Sequence, residues 1–238
     1  MAVRTAVVTG AGSGVGRAVV HRLARDGWNV ALVGRTPATL EETIRLAGNT
    51  SGKLIVTPCD IGDAAAVRAM AERVRADLGD ASVLVNAAGT NTPRRNLAEL
   101  SDADYRKVMD ANLNGAYWCV HAFLPGMRRR GGGTIVNINS IAGKQASALS
   151  GVAYSMSKAG LAALTQSINA EENRNGVRAC SIFPGDINTP LLEKRPTPPP
   201  PERRERMLTP EDITACVMLV IDLPERAVVH EMTITPRT

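Results

Sequence analysis

Apolar, β-branched runs alternate with helical patterns along most of the chain, and no other feature restricts its fold so tightly. Runs suited to buried strands are Thr5 to Thr9, Trp28 to Val33, Leu54 to Thr57, Ser82 to Val85, Thr134 to Ile138 and Arg178 to Ile182. Between them, apolar residues recur at three- and four-residue steps, in a helix running to about Asp26 and in others over 38–47, 63–78, 102–130 and 152–175. Strands this apolar cannot leave one face wet, so helices must cover both faces, and strict alternation makes the strands parallel. The expectation is an α/β chain: a doubly wound parallel sheet in three layers, α/β/α. No repeat or linker divides it, so 1–238 is read as a single domain.

After Pro184 the texture changes. Pro196 to Met207, PTPPPPERRERM, is proline-rich and then charged, a composition that forbids core packing and favours an extended surface excursion. The wider segment 191–208 is read as a lid over the active site, with Leu191 and Leu192 suited to cover a substrate. Arg203, Arg204 and Arg206 either attract an anionic substrate or stay solvated, the commoner fate of charge runs. Thr209-Pro210-Glu211-Asp212 then starts a helix, with Thr209 as N-cap and proline at the first helical position; Ile213 to Leu223 forms its body and Glu231 to Ile234 a short last strand.

Composition excludes several classes. The formal charge is +5, but the basic residues are scattered and only 3% of residues are aromatic, so a nucleic-acid partner is not expected. Arg128 to Arg130 form a run that reads as a solvated cap closing a helix before Gly131. Cys59, Cys119, Cys180 and Cys216 form no CxxC, and His21, His121 and His230 stand apart, which argues against a metal site. The first strand is entered by Val3 and no apolar run reaches 18 residues, so neither a signal peptide nor a membrane partner is expected and the chain is read as cytoplasmic.

Thr9-Gly10-Ala11-Gly12-Ser13-Gly14-Val15-Gly16 lies between the first strand and the first helix. Glycines let the backbone turn sharply and approach a pyrophosphate, whose charge is met by amide groups at the helix N-terminus. Gly10, Ser13, Gly14, Val15 and Gly16 are therefore candidate cofactor contacts. At the end of the second strand an acid would accept the ribose 2′-hydroxyl of NAD, but the chain reads Val33-Gly34-Arg35-Thr36. Arg35 can instead bind a 2′-phosphate beside Thr36, so NADP(H) is expected over NAD(H).

Tyr154 and Lys158 stand one helical turn apart, and Ser140 follows the apolar run ending at Ile138. An ammonium beside a phenol favours the phenolate and moves a pKa of about 10 toward the working range of a general acid or base. A serine hydroxyl at the carboxyl end of a strand can bond a substrate carbonyl.

Together these residues resemble the short-chain dehydrogenase/reductase family in its compact, single-domain form, to about Pro190. The resemblance implies a Rossmann fold. It assigns Asp60, followed by Ile61, to the adenine end; Asn86, Ala87 and Gly89 to the NxAG motif; Pro184, Gly185, Ile187 and Thr189 to the nicotinamide end. It makes Asn112 the support of a proton relay, Ser140 the carbonyl-polarising hydroxyl, Tyr154 the proton carrier, and Lys158 the group that lowers the tyrosine pKa and binds the nicotinamide ribose. It implies a small carbonyl or alcohol substrate and a homodimer or homotetramer. Asn139 departs from the small hydroxyl residue common beside the serine, and the ending Ile234 to Thr238 lacks the usual glycine pair. Two other readings compete: a nucleotide-sensing regulator on the same fold, which could have lost Ser140, Tyr154 or Lys158, and a basic RNA-binding protein.

Overall fold

The computed structural model describes residues 4–237; the expected strand entry at Val3 and the terminal Thr238 lie outside them. Seven parallel strands form one sheet in the order β3-β2-β1-β4-β5-β6-β7. They are β1 (Thr5–Thr9), β2 (Asn29–Gly34), β3 (Leu54–Pro58), β4 (Val83–Asn86), β5 (Gly133–Ile138), β6 (Val177–Pro184) and β7 (Glu231–Ile234). The connecting helices are α1 (Gly14–Arg25), α2 (Pro37–Ala47), α3 (Ala64–Leu78), α4 (Asp102–Met109), α5 (Gly115–Arg129), α6 (Val152–Glu172), α7 (Pro201–Arg204) and α8 (Pro210–Asp222).

Successive strand residues point to opposite faces, and each face has its own core. Ala6, Val8, Val30 and Leu32 pack with Val19 and Leu23 of α1 and with Ile213 and Val217 of α8. Val7, Ala31, Val33 and Leu84 pack on the other side with Val67 and Val74 of α3 and Phe123 of α5. Each fully buried Val or Leu contributes roughly 1.5–3 kcal/mol, which is why these strands read as unbroken apolar runs. Among the described residues no helix is long and apolar enough to cross a membrane.

Two expectations need correction and a third needs extending. The single helix expected over 102–130 is three pieces, because a π-helical turn, Asp110–Asn114, separates α4 from α5. Tertiary bonds to Asn112 compensate the poorer local geometry of such a turn.

Arg128 and Arg129 close α5 and stay exposed, as a solvated cap would, but each is also tied to an acid. Arg128 forks onto the buried Glu172, its Nε donating to Oε2 at 2.8 Å, and Arg129 donates to Asp80 at 2.7 Å. That pairing holds the Glu172 carboxyl at about 2, well below the usual range.

The segment 191–208 is not wholly excluded from the core. Leu192, Met207 and Leu208 are buried, Leu208 within the α1/α8 core. Leu208 N donates to Asp186 O (3.0 Å) and Asn188 N to Leu208 O (2.8 Å), which ties the returning chain to its own start. Arg203 and Arg204 are engaged too, with Asp186 and Glu193.

The start of α8 is as expected: Thr209 and Asp212 form a reciprocal capping box, Thr209 N donating to Asp212 Oδ2 at 2.7 Å. Its far end is capped from another element. Arg178 of β6, itself buried, donates to the carbonyls of Val220, Ile221, Leu223, Pro224 and Ala227.

Candidate active site

The strand order reverses between β1 and β4, and the crevice beyond their carboxyl ends is where an open α/β sheet takes its ligands. The turns after those two strands touch there. A Cβ on Gly10, whose φ is +67°, would lie 2.8 Å from the backbone of Ala88. Thr9 Oγ1 accepts from both Ala87 N and Ala88 N at 3.1 Å and so fixes one turn against the other. Across the gap, a Cβ on Gly14 (φ +50°) would approach Thr189 to 3.3 Å.

This groove, of about 170 Å³, is walled by Ser13 and Val15 as well as the glycines, by Ala87 and Gly89, and by Ile187 and Thr189 from the loop after β6. Its floor at one end is Tyr154 and Lys158. The residues fit a dinucleotide. Ser13 makes no side-chain cap and no acid stands in the first turn of α1, whereas Asp63, Ser101 and Thr209 cap α3, α4 and α8. Free amide groups at an uncapped, glycine-lined helix start are what a pyrophosphate requires.

The other expected contacts lie outside this groove. Arg35 and Thr36 are exposed beyond β2, where Thr36 heads α2 without a side-chain cap. Asp60 is exposed beyond β3 and accepts from Gly62 N, while Ile61 is buried in the α3/α5 core. Asn86 is buried, donates to Asn137 Oδ1 at 2.9 Å and leaves its own Oδ1 without a partner. Pro184 and Gly185 line a second cleft.

That second cleft, of about 200 Å³, meets the groove at Tyr154, with Asn139, Ile187, Thr189 and Leu191 also common to both. Ser140 follows β5 and heads a short 3-10 turn, Ile141–Gly143, its Oγ accepting from Ala142 N at 3.2 Å. Lys158 Nζ donates to the Ile138 carbonyl (2.7 Å) and lies 5.8 Å from the centre of the Tyr154 ring. Asn112 grips Thr90 at both ends, accepting from its N–H (2.7 Å) and donating to its carbonyl (3.0 Å), and also donates to Ser157 Oγ.

Electrostatics departs from the expectation of a simple ammonium–phenol pair. Burial raises the Tyr154 pKa above its ordinary value; the Ser140 hydroxyl and the guanidinium groups of Arg195 and Arg95 pull it back. Lys158 Nζ is instead committed to the Ile138 carbonyl. Burial in turn pushes Lys158 down to about 8.

A depressed lysine has a definite linkage sign. Between pH 8 and 10.5 the unfolded chain binds the Lys158 proton and the folded one does not, so stability from this group grows as pH rises and falls to its floor below pH 8. The span corresponds to about 3 kcal/mol. Lys158→Met should therefore flatten the rise in apo-protein stability between those pH values, read as urea midpoints of variant minus wild type. A parallel pair of curves would show that the ammonium is well solvated.

Several site residues carried no sequence signal. Asn137 donates to Thr165 Oγ1, and Thr165 bonds Ser181, so a buried polar chain runs from Asn86 on β4 across to β6. Thr90 and Asn91 are marked only by following Gly89 of the NxAG motif directly. Arg95, Lys194 and Arg195 have no such neighbour: only tertiary contacts bring Arg95 and Arg195 to the cleft and Lys194 to Thr90.

The sequence matches the family described as short chain dehydrogenase over residues 4–199. An uncharacterised oxidoreductase of Mycobacterium tuberculosis is 37% identical over 194 residues, which cover 79% of this chain and 56% of the relative; the chain thus spans little more than half of that protein. A (3R)-3-hydroxyacyl-CoA dehydrogenase of Rattus norvegicus is 37% identical over 200 residues, 80% of this chain and 76% of the relative. Among solved structures, an alcohol dehydrogenase of the archaeon Thermococcus sibiricus, complexed with 5-hydroxy-NADP, superposes with a TM-score of 0.88 at 27% identity, covering 99% of this chain and 97% of that one.

Proposed function

We propose, from the premise that this chain belongs to the short-chain dehydrogenase/reductase family, that it is an NADP(H)-dependent oxidoreductase acting on a carbonyl or secondary alcohol. The observation that carries the reading is the position of Tyr154 in the common wall of the two clefts, with Ser140 facing one and Lys158 the other. The nicotinamide supplies hydride chemistry when bound. The amides of Gly14 to Gly16 would hold the pyrophosphate in the groove, and Lys158, once its Ile138 bond is shared, would offer donors to the ribose. Ser140 bonds the substrate oxygen, Tyr154 gives or takes its proton, and Asn112 positions the Thr90 backbone beneath them. Asp60 serves the adenine end, and the buried Asn86 braces the NxAG turn against β5. Enclosure between the loops after β4 and β6 orients substrate and excludes water.

Leu191 and the 3-10 turn Pro190–Lys194 act in this reading as the lid. Pairing of two copies through α5 and α6, where Tyr117 and Met156 remain exposed, belongs to it as well. NADPH oxidation followed by absorbance across ketones, aldehydes and 3-oxoacyl thioesters is the direct test of activity. The last class enters because the rat relative is named for a 3-hydroxyacyl-CoA substrate.

Preference for NADPH rests on Arg35, on the lack of an acid at Gly34, and on the NADP analogue named in the archaeal structure. A charge-assisted bond to phosphate is worth roughly 1.5–3 kcal/mol. Arg35→Ala should accordingly weaken NADPH by about 10- to 100-fold and NADH by less than about threefold. Isothermal titration of both cofactors reads this, and equal losses would remove the assignment.

A further inference from the structure

The cleft on the substrate side of Tyr154 contains more positive charge than it neutralises. Arg95 and Arg195 both line it, together with Ser140, Tyr154 and the single carboxylate Asp186. Arg95 is only 5% exposed, and an arginine so buried is ordinarily paired with an acid. Here its bonds go to neutral carbonyls instead: Nε to Thr92 O (2.7 Å), Nη1 to Leu149 O (3.0 Å) and Nη2 to Lys194 O. A guanidinium has five N–H groups, so two remain, and among the described residues the charge has no counterion. Asp186 cannot serve, since Arg195 and Arg203 already share it, the latter at 3.3 Å. Burial depresses the Arg95 pKa, and repulsion from Arg195 adds to it. Both guanidinium groups also act on the Tyr154 phenol, so the excess charge lies within electrostatic reach of the reacting oxygen.

Resting on the reductase reading above, we propose that the substrate is a short-chain oxo acid, or the corresponding hydroxy acid in reverse, whose carboxylate is held by Arg95 and Arg195. The carboxylate supplies the missing counterion and takes the unused N–H groups as charge-assisted bonds. The carbonyl then lies against Ser140 and Tyr154. Its carbon gains a hydride from the reduced nicotinamide, its oxygen gains the Tyr154 proton as the C=O π bond breaks, and the oxo acid is reduced as the dinucleotide is oxidised. A volume of about 200 Å³ lies below the roughly 300–1,000 Å³ of drug-sized sites, which favours a short acid over a long acyl chain.

The test compares an oxo acid with its methyl ester, identical at the reacting carbon and different in charge. Wild-type kcat/KM should favour the acid by about 100-fold, the equivalent of one desolvated charge pair. Arg195→Gln should lower that acid-to-ester ratio at least about 30-fold, and Arg95→Met should do the same if circular dichroism shows it folded. Malonate, an unreactive carboxylate, should bind the wild-type NADPH complex in calorimetry and fail to bind the Arg195→Gln complex. Equal rates on acid and ester, an unchanged ratio in Arg195→Gln, or malonate binding that ignores Arg195 would overturn the inference. If neither acid nor ester is reduced, the reductase reading fails instead, and the malonate titration alone decides whether the anion site exists.

Discussion

Tyr154→Phe should lower kcat for carbonyl reduction by about 10³-fold, within the range of roughly 10²–10⁴ that a positioned general acid contributes, while the NADPH dissociation constant stays within about threefold. The ring packs alike in both proteins and only the proton-bearing hydroxyl is lost. The pH dependence should distinguish the two directions. Because burial raises the Tyr154 pKa, the phenol remains protonated through neutral pH and is ready to act as the acid of reduction. Alcohol oxidation needs the phenolate, so its rate should climb as pH rises into the alkaline range, and the Phe variant should lose that climb. Single-turnover reduction and a pH series of oxidation rates measure both. Near-normal turnover in the variant would remove Tyr154 from the chemistry and favour a nucleotide-sensing role.

Arg178→Ala should be the most destabilising change outside the site. The side chain donates to five carbonyls that terminate α8 and the loop beyond it, and its Nε donates to Thr134 Oγ1 on β5. Removing it strands buried acceptors in a place where the last turn of a helix has no partners of its own. The expected loss is about 3–5 kcal/mol, the range for a broken buried charge network, or roughly 6–20 °C in Tm for a chain of this size. Arg178→Lys should recover part of it, since one ammonium cannot reproduce the planar fork. Urea unfolding followed by circular dichroism reads the difference; a loss under about 1 kcal/mol would show water replacing the guanidinium.

Much of this architecture was legible because it depends on local pattern. β7 spans Glu231–Ile234 as expected, and Thr209, Pro210 and Asp212 sit in the capping positions that their types imply. Tyr154 and Lys158 share a helix face because four residues make just over one turn. What escaped the sequence depends on distant partners. Arg95 is buried by carbonyls 54 and 99 residues away. Arg128 and Arg129 find acids 44 and 49 residues away, so an exposed helix cap, as read from the sequence, also makes two inter-element ties that the sequence did not show. The same holds for charge. Spacing puts an ammonium near a phenol, but the direction of Lys158 Nζ is set by the Ile138 carbonyl on another element, and burial then decides the sign of the tyrosine shift. Leu192 and Leu208 belong to a segment whose average composition is polar, and composition cannot say which members turn inward.

The π-helical turn at Asp110–Asn114 has a consequence for how this site can change. A turn of that kind carries one residue more than a regular helix needs to cover the same path. Deleting one residue from the segment would let the rod close into uninterrupted α-helix with its two flanks in nearly their present register, and the side chains of the turn itself would be re-aimed. Asn112 would lose Thr90 even though every remaining side chain was intact. No point substitution changes that count. The grip of Asn112 on Thr90 is therefore inherited as a chain length: it tolerates drift in the letters around it and is vulnerable to the loss of a single codon.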